Sequence, residues 1–160
     1  MNTEMTHEPE VFHTLTSKEG DEFQISAKAL RQSIMLSTML DDLSGDDDSK
    51  PATIPVDKIS SEYLKKIVDW CEHHKEDAKP EKEPDMPNGI RPPPPKFDIP
   101  EWDKAYLTVD ETDMYYLLIG VNFLEIPWLY RYLLKMVYLL FMKDKSLEEL
   151  RKRFEPPQEN

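Results

Sequence analysis

Residues 11–15 are rich in β-prone side chains, and residues 22–26 (Glu-Phe-Gln-Ile-Ser) alternate polar and apolar positions as a half-buried strand does. Between them Ser17-Lys18-Glu19-Gly20-Asp21 supplies turn chemistry, with Gly20 free to take positive φ, so the segment predicts a hairpin. Leu30, Ile34, Met35, Leu40 and Leu43 then recur at helical spacing over residues 27–43, with a break predicted near Ser33. Gly45-Asp46-Asp47-Asp48-Ser49 reads as an acidic loop. Residues 53–56 read as a short strand whose Pro55 suits a sheet edge or a strand end. Ser60 or Ser61 caps the next helix, which carries an apolar stripe of Tyr63, Leu64, Ile67, Val68 and Cys71 and runs into His73-His74-Lys75. Residues 79–100 hold eight of the fourteen prolines, including Pro92 to Pro95, and predict an extended polar excursion without packing. Order is expected to resume at Ile99, with Trp102, Tyr106 and Leu107. Thr112-Asp113 is placed to cap a helix through Tyr115, Leu118, Ile119, Val121 and Phe123. Pro127 suits a first helical turn, where its missing N–H costs nothing. Ser146 and Glu149 form an S-x-x-E capping box for a last helix ending near Phe154. Residues 1–10 and 155–160 are expected to be disordered. The order of elements is α+β.

One stretch stands apart. Between residues 126 and 142 only Arg131 and Lys135 are charged. One helical face carries Tyr130, Leu134, Val137 and Phe141, and another carries Leu129, Leu133, Met136 and Leu140. A helix apolar around its circumference must be buried all round, and a 160-residue chain seldom surrounds its penultimate helix by itself. Leaving four such side chains wet would forgo roughly 1.5–3 kcal/mol each. A docked partner protein is the expected cover, self-association being one form of it. A membrane span is not expected, since two central cations would cost roughly 2.5–3.5 kcal/mol each.

The net charge of -12 argues against nucleic acid or an anionic membrane as partner. A single cysteine, Cys71, excludes an internal disulfide, and the polar first ten residues carry no signal-peptide pattern. A soluble cytoplasmic or nuclear protein is the expectation. Cys71 and His74 share a helix face, but two ligands make no structural zinc site; a buried cysteine beside two solvated histidines is expected. The aspartates of residues 41–48 lack EF-hand spacing, and no phosphate-binding glycine motif is present, so neither metal, cofactor nor catalytic site is expected.

Several segments then fall into a known order: Thr38-Met39-Leu40-Asp41-Asp42-Leu43 before the acidic loop; Leu64-Lys65-Lys66-Ile67-Val68-Asp69-Trp70-Cys71-Glu72-His73-His74-Lys75-Glu76-Asp77; Ile99-Pro100-Glu101-Trp102-Asp103 after a proline-rich insertion; Asn122-Phe123-Leu124-Glu125-Ile126; and Glu148-Glu149-Leu150-Arg151-Lys152-Arg153-Phe154. With this order and spacing the chain resembles the Skp family (S-phase kinase-associated protein), adaptors of SCF-type cullin–RING ubiquitin ligases. The resemblance implies a BTB/POZ-like domain over residues 11–126, with a flexible proline-rich insertion at about 78–99, and a helical extension over 127–154. It implies two partners, the N-terminal domain of a cullin and an F-box protein. By position, Asn122 and Phe123 match the family's cullin-contacting Asn-Tyr pair, while Tyr130, Leu134, Val137, Leu150 and Phe154 match F-box-facing positions. The departures are also specific. Trp128 stands where the family usually has glycine. Leu133, Met136, Tyr138 and Leu139 replace small or polar residues. One extra residue lies between Phe141 and Lys145, Leu147 replaces a common proline, and the family continues past Phe154 with a further helix. The rival expectation is a diverged BTB/POZ module that oligomerises without ligase duty.

Overall fold

The computed structural model describes residues 10–45, 49–81, 86–89 and 96–155, without the side chain of Phe154. The expected disorder of residues 1–9 and 156–160, most of the acidic loop and the Pro92 to Pro95 run lie outside the described residues. Strand β1 (Phe12–Thr16) pairs antiparallel with β2 (Glu22–Ser26), from Phe12 opposite Ser26 to Thr16 opposite Glu22. The connecting turn is closed by Ser17 N and Asp21 O at 2.9 Å, with Gly20 at φ +88°, where a side chain would be strained. Strand β3 (Thr53–Pro55) adds parallel to β1, giving the order β2-β1-β3. Pro55 thus sits on an edge strand, where a missing donor breaks no central ladder.

The expected break near Ser33 separates helix α1 (Ala27–Leu30) from α2 (Ile34–Ser44). Ser33 is fully buried. Its hydroxyl accepts from Leu36 N at 3.1 Å and donates to Leu124 O at 2.5 Å, so the cap of α2 also grips the end of a distant helix. Helix α3 (Ser61–His73) buries Leu64, Ile67, Val68, Trp70 and Cys71. Ser60 is its N-cap by backbone alone, and the Glu19 carboxylate accepts from Ser61 N at 2.8 Å instead. That backbone bond holds Glu19 below the usual carboxylate range. Glu72 ties α3 to the sheet, accepting from Ser26 N at 2.6 Å and Ser26 Oγ at 3.0 Å.

Helix α4 (Glu101–Tyr106) leads to α5 (Glu111–Leu124) and α6 (Pro127–Val137), and a π-helical turn (Tyr138–Met142) follows α6 before α7 (Leu147–Phe154). The cap of α5 is Asp110, which accepts from Asp113 N at 2.8 Å, not Thr112 or Asp113 as expected. Asp113 lies already in the first turn, so its own N–H is the group that needs capping. One hydrophobic core joins sheet and helices: Leu15, Ile25 and Ile54 from the sheet, Leu64 and Ile67 from α3, Leu117 and Val121 from α5, Leu129 and Leu133 from α6.

Two expectations about the middle of the chain need correcting. His74 is buried rather than solvated: its ring bridges Asp77 Oδ2 at 2.6 Å and Asp103 Oδ1 at 2.7 Å, and it stacks on Trp70. Trp70 Nε1 donates to the same Asp103 oxygen at 2.7 Å. Asp103 is fully buried, and the contacts of its Oδ1 with Trp70 and His74 offset part of what burying a carboxylate costs, while Oδ2 is buried without a partner among the described residues. The excursion is also not unpacked at its return. Phe97 meets Trp128 edge-on at 5.7 Å and Tyr132 at 5.6 Å, and Lys135 donates to Phe97 O, so packing starts two residues before Ile99.

Candidate protein-interaction surfaces

Helix α5 turns Met114, Leu117, Gly120, Val121 and Leu124 inward. Its outer stripe carries Tyr115 (61% exposed) and Ile119 (49%), continuing at the next turn to exposed Asn122 and half-buried Phe123. Burying such residues is favourable, so a stripe left wet is a surface with free energy still to gain. The end of α5 is firmly placed. Leu124 O is held by Ser33, Glu125 N donates to Asn122 O at 3.2 Å, Glu125 O accepts from Ile34 N at 3.0 Å, and Glu125 turns the chain at φ +53°. Asn122 and Phe123 are therefore brought together on a rigid corner, with the Lys58 ammonium 5.1 Å above the Phe123 ring centre.

The apolar stretch beyond residue 126 resolves into an inner and an outer face. Leu129, Leu133 and Met136 are buried against the core. Leu134 (47%) and Tyr138 (53%) are exposed on the other side, flanked by partly exposed Tyr130, Val137 and Phe141. The chain by itself covers one face and leaves the other open, the face for which a docked partner is the expected cover. Trp128 is partly covered from within, by Phe97 and by the Arg131 guanidinium 4.8 Å from its ring.

Beyond α6 the helix widens. Lys143 N donates to Tyr138 O at 2.7 Å, an i to i+5 bond that takes one more residue per turn than an α-helix. Asp144, at φ +63°, then redirects the chain into α7, whose capping box forms with Glu149 N to Ser146 Oγ at 3.1 Å and Ser146 N to Glu149 Oε2 at 3.2 Å. Helix α7 is mostly exposed. Leu150 is partly buried, and Arg153 lies 5.3 Å over the Phe141 ring and pairs with Glu111. Tyr130, Leu134 and Val137 thus share the outer face of α6, and partly buried Leu150 lies on α7. The side chain of Phe154 lies outside the described residues.

Sequence reasoning missed three contributors: Tyr115 and Ile119 on α5, and Leu147, 69% exposed at the start of α7. The signal was there in α5, which carries more apolar residues than one inward face needs. Burial pushes the Cys71 thiol far above its usual range, both ring nitrogens of His74 are occupied by carboxylates, and no group of three metal-ligating side chains occurs among the described residues. No described helix is long and apolar enough to cross a membrane.

Residues 12–76 match the family described as Skp1 family, tetramerisation domain. The chain is 35% identical over 141 residues to proteins named E3 ubiquitin ligase complex SCF subunit sconC from Arthroderma benhamiae and from Arthroderma otae. Each alignment spans 88% of this chain and 80% of the relative. A second Arthroderma otae protein of the same name is 34% identical over the same extent. The β2-β1-β3 sheet with its packed helices and the helical extension behind it are what that kinship requires, and the chain belongs to the Skp1 family.

Proposed function

We propose that this chain is the adaptor subunit of an SCF-type ubiquitin ligase, joining the N-terminal domain of a cullin to an F-box substrate receptor in the cytoplasm or nucleus. The observation that carries the reading is a pair of separate apolar surfaces on consecutive helices. Asn122 and Phe123 end α5 on one, and Tyr130, Leu134 and Val137 line the outer face of α6 on the other, with only Glu125 and Ile126 between the helices. Leu150 of α7 extends the second surface, as does Phe154 by its place in the sequence. Kinship with proteins named as SCF subunits supports the same reading.

The adaptor does no chemistry of its own. Holding receptor and cullin in fixed relation raises the effective concentration of substrate at the ubiquitin-charged enzyme. Rigidity matters here because a loose linker would dilute that concentration, and the anchors at Ser33 and in the α6 core supply it. In a pull-down with a cullin N-terminal region, the chain is expected to bind and the Asn122→Lys, Phe123→Lys double variant to lose binding while retaining an F-box peptide. Full cullin binding by the double variant would remove the site assignment.

A further inference from the structure

We propose that Lys58 is a specificity-determining contact on the cullin-side surface, offering its ammonium to a carboxylate or other acceptor of the cullin beside the Phe123 ring. The inference rests on the adaptor reading and specifies the chemistry of one of its two partners.

The placement of Lys58 follows from Gly120. A Cβ at that position would stand 3.3 Å from Ile67 Cδ1 and 3.4 Å from Ile59 Cδ1, so its absence lets α5 settle directly onto Ile59. Ile59 is buried and fixed by its backbone, with Lys18 N donating to Ile59 O at 2.9 Å and Ile59 N to Val56 O at 3.3 Å. Val56 is fully buried. Lys58 therefore projects from a short segment anchored on both sides, and its Nζ reaches the face of Phe123, three residues beyond Gly120.

A ring face satisfies an ammonium only through its quadrupole, and the three N–H groups still need acceptors. Among the described residues no carboxylate forms an ion pair with Lys58, although Asp57 and Glu125 stand exposed at the same corner. Water serves those N–H groups in the free chain. Anything that covers Phe123 displaces that water, because the ammonium lies within the footprint of the ring. A partner that brings an acceptor recovers the lost hydrogen bonds, and one that brings a cation or a bare apolar surface leaves a charge unpaired. Lys58 thus selects by penalty as well as by attraction.

The test is calorimetric titration of the full chain with a cullin N-terminal region at low and high salt, comparing wild type with Lys58→Arg, Lys58→Met and Lys58→Glu. Lys58→Arg is expected to bind like wild type. Lys58→Met should bind about two- to fivefold more weakly with a shallower salt dependence, and Lys58→Glu at least about tenfold more weakly. F-box peptide binding should be unchanged in all three and serves as the folding control; if Lys58→Glu fails it, Lys58→Met decides by the same criterion. Wild-type affinity and salt dependence in Lys58→Met would overturn the role of Lys58 while leaving the adaptor reading intact. No cullin binding by the wild type would overturn the adaptor reading, and this inference with it.

Discussion

Two phenols show how partial burial sets chemistry at single residues. Tyr106 donates to Lys66 O at 2.8 Å, and Tyr63 donates to Asp113 Oδ1 at 3.0 Å. Loss of water pushes both up to about 12, and for Tyr63 the Asp113 carboxylate adds to the effect. Because the folded value lies above the unfolded value of about 10, the stability they contribute is fully present below that pH. It is lost as pH rises through about 12. Spectrophotometric alkaline titration should resolve late-ionising tyrosines, Tyr63 and Tyr106 among them, and the decline in stability above about pH 10 should flatten in Tyr63→Phe and Tyr106→Phe. Ordinary titration of all tyrosines would contradict the described burial of these two.

At the scale of elements, adjacent leucines of α6 belong to different tasks. Leu133 is completely buried and Leu134 is 47% exposed. Leu133→Ala is expected to cost about 2–5 kcal/mol of folding stability by chemical denaturation. Leu134→Ala should cost under about 0.5 kcal/mol but weaken F-box binding. Equal losses of stability would mean that the outer face is also core. Periodicity separated these faces from the sequence, but both were apolar, so it could not say which turned inward. The hairpin and the break at Ser33 were legible because alternation, turn chemistry and capping are local signals. The cap at Asp110 was misplaced by two residues, since Asp110, Thr112 and Asp113 are all capping types. The His74 bridge was invisible, because Asp103 lies 29 residues away across the proline-rich excursion and only the folded chain brings them together. Of the candidate sites, Asn122 and Phe123 were reached by resemblance alone, whereas the open face of α6 was legible as excess hydrophobicity.

For the whole molecule, the distribution of anchors matters more than any one contact. The end of α5 is pinned by Ser33 and Glu125, and α6 by its buried leucines, so the two open surfaces are held in one rigid frame. Helix α7 is attached through Arg153 to Glu111 and Phe141. On the proposed reading, such a frame is expected to bind two partners at once without either competing for the other's surface. The most direct measurement is sizing with light scattering of the chain mixed with a cullin N-terminal region and an F-box peptide. A 1:1:1 complex is predicted, with Asn122→Lys plus Phe123→Lys removing only the cullin and Leu134→Asp removing only the F-box peptide. Mutually exclusive binding, or a self-associated chain that takes up neither partner, would contradict the two-sided adaptor.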